Sequence, residues 1–307
     1  DPAARSLRRG RAGTVGVLLT ERLPYAFADP GMLAFLHGVA TELADAGQAL
    51  LLVPTESNAA HALVRNAVVD GFVLASLTPD DPAVADILSR RLPVVTWGQA
   101  KLPDVPRVGI DNARAAAKAA RHLVDPGHRR FAVFTFGSRP ASSAADDGLG
   151  DVGVPGNQVA MRHRVAGFLR AVRDAGIDPT TVVQVGAAAN SRTAGAAAVN
   201  ELFALPAKRR PTAIFAVTDV LALGVLDAAA KARIDVPHKL SVVGFDDIGE
   251  AAASTPPLTT VSQSLFDQGR VAARAVIDLL AGNAAVLPRI TPELIVRGST
   301  ARSPGAA

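Results

Sequence analysis

PTAIFAVTDVLALGVLDAAAKARIDVPHKLSVVGFDD, residues 211–247, contains one whole strand–helix–strand unit. Residues 212–217 (TAIFAV) are an almost unbroken apolar run of strand length, as expected of a parallel strand covered on both faces. Residues 220–232 (VLALGVLDAAAKA) have helical composition, and residues 241–245 (SVVGF) form a second short apolar run. Parallel strands need a crossover of a dozen or more residues between them, and the helix supplies it.

The unit recurs in both directions. Upstream, residues 129–136 (RRFAVFTF) and 181–185 (TVVQV) read as strands, with helices over 162–176 and 192–205. A separate series precedes them: strands at 14–19 (TVGVLL), 49–53 (ALLLV), 71–75 (GFVLA) and 93–97 (PVVTW), with helices at 32–47, 58–68 and 81–91. ELADAGQ and VRDAGID end the first helix of each series alike, and Gly47 stands where a helix stop is expected. Two consecutive runs of this kind predict an α/β protein of two doubly wound lobes, each with a parallel sheet. Ligands of such folds lie at the C-terminal ends of the strands, here expected in a cleft between the lobes.

Composition agrees. With 307 residues, 49% hydrophobic and 20% charged, the chain can bury sizeable cores, and with 4% aromatics those cores are aliphatic. Cysteine is absent, so disulfides, thiolate nucleophiles and Cys-based zinc sites are excluded. The six histidines lack metal-ligand spacing, and no metal or cofactor is expected. No apolar run reaches the roughly eighteen residues of a membrane span, so no membrane partner is expected either. The net charge of +4 and pI near 9.9 are weak pointers to nucleic acid, but part of the excess sits in DPAARSLRRGRAG at residues 1–13.

Residues 137–161 form a long polar segment rich in Gly and Pro. Its GLGDVG (148–153) has the spacing of a dinucleotide fingerprint, yet it follows no strand, opens no helix and lies beside Asp146, Asp147 and Asp151, which repel phosphate. No nucleophile elbow, phosphate-binding loop or zinc-protease motif is present, and no enzyme activity is expected.

PTAIFAVTDVLALG, VPHKLSVVGFDD and PPLTTVSQ occur in order in the C-terminal half, with VGIDN (108–112), GHRRFAV (127–133) and RVAGF (164–168) before them. This arrangement resembles the LacI family of bacterial transcription regulators, whose core is similar to periplasmic sugar-binding proteins. The resemblance covers the whole chain except residues 137–161. It implies residues 1–12 as a hinge to a helix-turn-helix domain that this sequence lacks. It further implies an N-terminal lobe of 13–124 with 264–285, a C-terminal lobe of 125–263 with 286–301, and a tail of 302–307. A small-molecule effector, a homodimer and a cytoplasmic location follow from the same resemblance. The competing reading is a periplasmic solute-binding protein of an ABC transporter.

Carried over residue by residue, the resemblance makes Arg164 and Asp246 effector contacts. A guanidinium suits vicinal hydroxyls or a carboxylate, although a helix-surface ion pair would also account for Arg164. Asp247 and Asp219 each precede a helix, so helix capping competes with ligand contact. Thr218 departs from the Asn of many sugar-responsive members and removes an amide's donors and acceptor. Tyr25 and Phe27 either stack on the ligand or pin a loop, and Asp29 is expected to cap the helix that follows. Trp97, Asp111, Gln263 and Asn190 complete the candidates at strand ends and crossovers. The apolar residues of helices 32–46 and 220–232 exceed what one buried face needs and suggest dimer faces.

In the arm, Pro2, Ala3, Ala4, Arg5, Ser6 and Leu7 match the family's hinge. The resemblance implies that Leu7 wedges into a minor-groove step of operator DNA while Arg5, Arg8 and Arg9 meet phosphates. Leu7→Ala is expected to lower the operator-to-random affinity ratio, and Arg8→Ala to weaken both and flatten the salt dependence. A salt titration on operator and random DNA measures this, and an unchanged ratio for Leu7→Ala refutes the wedge.

Overall fold

The computed structural model describes residues 11–55, 60–98, 101–137 and 158–304. Arg5, Leu7, Arg8 and Arg9, and the GLGDVG stretch, lie outside them. The chain divides into two compact units, one of residues up to Ile110 with Ser264–Ile290, the other of Asp111–Gln263 with the residues from Thr291 onward.

In the first unit, β1 (Thr14–Leu19), β2 (Ala49–Pro54), β3 (Gly71–Ala75), β4 (Val94–Trp97) and β5 (Arg107–Val108) form one sheet in the order β2-β1-β3-β4-β5, every pairing parallel. Its helices are α1 (Leu23–Ala28), α2 (Pro30–Asp45), α3 (Ala60–Asn66) and α4 (Pro82–Ser89). All five residues of β3 are buried, because a central parallel strand is covered on both faces. One core joins β1, β3, α2 and the later helix α10 (Leu265–Leu280), and a second lies under α3 and α4. The Glu42 carboxylate of α2, only 3% exposed, is held by Arg270 at 3.0 Å and by Arg274, both of α10. A buried carboxylate needs such partners to remain charged.

The second unit repeats the pattern. It contains α5 (Asn112–Val124), β6 (Phe131–Phe136), α6 (Val159–Asp174), β7 (Val183–Ala187), α7 (Arg192–Phe203), β8 (Ala213–Ala216), α8 (Asp219–Lys231), β9 (Ser241–Val243) and α9 (Gly249–Ala253). The sheet order β7-β6-β8-β9 is again second–first–third–fourth, all parallel. A short antiparallel pair, β10 (Thr260–Ser262) and β11 (Glu293–Ile295), completes the unit. Rings stack through its core: Phe131 edge-on to Phe168, Phe168 flat on Phe215 at 4.9 Å, and Phe215 edge-on to Phe245.

Several expectations are corrected. Residues 112–124, expected in the first lobe, form α5 and belong to the second unit, because α5 packs on α6. The approach is close enough that a Cβ on Gly167 would strike the Ala113 carbonyl. The strand expected at 181–185 begins at Val183, since Asp178 caps a single 3₁₀ turn over Pro179–Thr181. Residues 23–28 are a short helix, not a loop. The supposed dimer faces are also covered within their own units. Leu36, Val39 and Leu43 of α2 are buried where it packs on α10, leaving Leu33 exposed, and Leu221, Leu223, Val225 and Leu226 of α8 are all buried.

Candidate functional site

Arg164 lies on α6 with its side chain 11% exposed, over the C-terminal ends of the second unit's strands. Its Nη1 donates to the carbonyl of Val217, the residue after β8, at 2.6 Å, and to Asp246 Oδ1 at 3.2 Å. Its Nε donates to Asn112 Oδ1 at 2.9 Å. The guanidinium carbon stands 3.8 Å above the Phe245 ring centre, a cation–π contact that positions the cation without consuming N–H groups. Gln263 Nε2 donates to the same Asp246 Oδ1 at 2.5 Å. Beside this group, the Thr218 hydroxyl donates to Asn190 Oδ1 at 2.7 Å.

Local sequence explains the placement. The chain leaves β9 at Val243, and Asp246 N donates to the Val261 carbonyl at 2.9 Å, tying the strand's continuation to β10. Asp246 sits at φ 125° and Asp247 at φ 62°, conformations that non-glycine residues rarely adopt. Thr218 is the N-cap of α8, accepting from Leu221 N at 3.4 Å. Asp219, fully buried, sits beneath the turn: its carboxylate accepts from Thr260 Oγ1 at 2.5 Å and from Ile248 N at 3.0 Å. Burial pushes its pKa up to about 6, against the lowering effect of those hydrogen bonds. Guanidinium, carboxylate, carboxamide and hydroxyl thus gather at the switch point of a doubly wound sheet, supplying donors and acceptors together. Among the described residues no cluster of acidic and imidazole groups is placed to hold a metal ion.

A family model described as a periplasmic binding protein-like domain matches residues 120–300. An HTH-type transcriptional regulator of Mycobacterium tuberculosis is 37% identical over 312 residues, covering 99% of this chain and 84% of the relative. A LacI-family transcriptional regulator from Corynebacterium glutamicum superposes with a TM-score of 0.79 at 30% identity, over 98% of this chain and 88% of that one. The chain belongs to the LacI family of transcriptional regulators. A further member of similar structure is the regulator CelR, solved as a cellobiose complex, with a TM-score of 0.75 and 28% identity over 97% of this chain and 89% of that one. The ABC-transporter alternative is not favoured, since these relatives are regulators matched over most of their length.

Within this LacI-family core, the structure joins Arg164, Asp246 and Gln263 directly and pairs Thr218 with Asn190 beside them. Asp111 stands at the edge of the group as the N-cap of α5, its carboxylate accepting from Arg114 N at 2.9 Å. The next residue, Asn112, holds Arg164 and was not anticipated; its position directly after the strand in VGIDN was the available signal. Asp219 does not cap α8 through its side chain, because Thr218 does; both its oxygens are engaged inside the protein. Asp247 does not cap α9 either, since its carboxylate pairs with Arg297 at 2.6 Å and that helix has no side-chain cap. Asp29 does cap α2, accepting from Gly31 and Met32 amides.

The first-unit candidates are aromatic. Trp97 is stacked on Phe35 at 3.8 Å and its Nε1 donates to Gln268 at 2.8 Å, so one ring face and the indole N–H serve the unit's own core. Tyr25 is half-buried on α1, and Phe27 on the same helix is 55% exposed.

Asp219 generates a pH prediction. Its folded-state pKa, about 6, lies above the ordinary 3.8, so the stability it contributes is fully present below about 3.8 and lost as pH rises through 6. His122 and His128, pushed down by burial, act in the opposite sense. The unfolding free energy of the wild type minus that of Asp219→Asn should therefore increase from pH 7 to pH 5. Denaturant unfolding at pH 5, 6 and 7 measures it, and a pH-independent difference refutes it.

Proposed function

We propose that this chain is the effector-binding core of a cytoplasmic repressor whose operator affinity is set by a small hydroxylated ligand, a sugar or nucleoside. The observation that carries this reading is the Arg164–Asp246–Gln263 group at the strand ends of the second unit. Its donors and acceptors match vicinal hydroxyls, and the related CelR was solved with a disaccharide. Thr218, Asn190 and Asp111 lie close enough to this group to contribute. Tyr25, Phe27 and the remaining face of Trp97 are the aromatic candidates of the first unit. Among the described residues Arg164 and Asp246 of this group pair with each other. Operator DNA would be met through the hinge and a helix-turn-helix domain of the kind for which the relatives are named.

A panel of sugars, nucleosides and small acids in a thermal-shift assay tests for the ligand, because binding to the native state alone raises its stability. Arg164→Ala and Asp246→Ala should each weaken the response by about 1.5–3 kcal/mol, the range of charge-assisted hydrogen bonds. Calorimetry showing unchanged affinity in both variants overturns the assignment.

A homodimer belongs to the same reading, on a surface different from the one expected. Helices α3 and α4 pack on each other and leave Leu63 45%, Leu88 43% and, just beyond α3, Val68 74% exposed. Exposed apolar side chains on neighbouring helices favour a covered interface. Sedimentation at micromolar concentration should give a dimer, and Leu63→Glu with Val68→Glu should shift it to monomer. A wild-type monomer refutes the dimer.

A further inference from the structure

Asp246 is held in an unfavourable backbone conformation with its carboxylate in contact with Arg164 and Gln263. A φ of 125° suits glycine, and an aspartate stays there only when its surroundings over-determine it. Those surroundings centre on one residue. Asp219 N donates to the Phe245 carbonyl at 2.7 Å, immediately before Asp246. The Asp219 carboxylate accepts from the amides of Asp247 and Ile248, immediately after it. Its other oxygen holds Thr260 of β10, the strand to which Asp246 N is tied. Gly244 makes room, since a Cβ there would strike Asp219 Oδ1.

We infer that Asp219 is the positioning residue for Asp246: with its backbone N–H bonded to the chain before Asp246 and its buried carboxylate bonded to the chain after it, Asp219 presents the Asp246 side chain to Arg164 and Gln263. The inference rests on the proposed effector role of Asp246 and deepens it, because the contact residue is preset by a group the ligand does not touch. It also makes the site sensitive to protons. Protonation of Asp219 puts a hydrogen on an oxygen that now accepts one and weakens the clamp. Burial places that event near pH 6, and the charged group that bears on Asp219 from the neighbouring turn is Asp247, itself paired with Arg297. On the far side of the turn stand Asp246 and Arg164, paired with each other.

The test follows backbone amide and arginine Nε resonances of the full chain by NMR between pH 5 and 7.5. In the wild type, the Asp246 amide and Arg164 Nε–H should shift through a step centred near pH 6. Asp219→Asn should abolish the step. Thr260→Val removes a hydrogen bond that lowers the Asp219 pKa, and should move the step to higher pH. Thermal unfolding of each variant is recorded alongside, because a purely structural role changes melting temperature without a titration step at Asp246. No step near pH 6, or a step that persists in Asp219→Asn, overturns the inference; the Thr260→Val shift decides it if Asp219→Asn does not fold. Cellobiose, ribose and adenosine serve as binding probes. For a probe that binds, Asp219→Asn should lower affinity about tenfold at pH 7 and flatten its dependence on pH. Binding that ignores Arg164→Ala and Asp246→Ala, or no binding, counts against the effector reading alone, because the NMR step is read without ligand. Binding that needs both residues but ignores Asp219→Asn counts against the positioning role alone.

Discussion

A carboxylate fully enclosed by protein must find hydrogen-bond donors within the fold, and much of the second unit's functional edge follows from how Asp219 does so. Its donors come from the turn after β9 and from β10. Those bonds tie the start of α8 to two neighbouring segments at once. They also explain a run of otherwise unrelated residues: Gly244 because no side chain fits there, Thr260 because a hydroxyl is needed, and Thr218 because the cap of α8 must be made by another side chain. The energetic cost of burying the charge shows in its raised pKa.

Arg164 solves the complementary problem for a cation. Its guanidinium lies on Phe245, the last ring of a stack that runs from Phe131 through Phe168 and Phe215, so the charge rests directly on the aromatic core. Three acceptors in three different segments, Asn112, Val217 and Asp246, fix its orientation. A side chain held by so many fixed partners loses little further ordering entropy when it binds another group. In the first unit the comparable cost of burial is met at Glu42, held between Arg270 and Arg274.

The parts of the sequence that read correctly share a physical cause. Strands buried on both faces must be apolar throughout, so TVGVLL, GFVLA and TAIFAV stand out at once. Two of the helices that the apolar pattern does not show, α5 and α10, are amphipathic with small core residues: Ala115, Ala116, Ala119 and Ala120 in one, Ala272, Ala273 and Ala275 in the other. Alanine is a weak hydrophobic marker, and in NARAAAKAARHLV the charged positions mask the period. In α2 and α8, by contrast, the leucines outnumber what one buried face of a helix needs. In the fold that surplus is absorbed by α10 and by neighbouring elements, which are distant in sequence.

By itself, then, the sequence determined the two parallel α/β series, the family, and the residue types that gather at the strand ends, because each depends on local composition or on short ordered motifs. Tertiary structure alone decided which unit owns α5, that Asp219 faces inward and Asp247 turns to Arg297, and that Asn112 joins Arg164. Those outcomes depend on pairings across 29 to 52 positions of sequence, such as Asp219 with Ile248 and Arg164 with Asn112. A carboxylate reads the same in sequence whether it meets a ligand, caps a helix or holds a turn; only its neighbours in space assign it one of these roles.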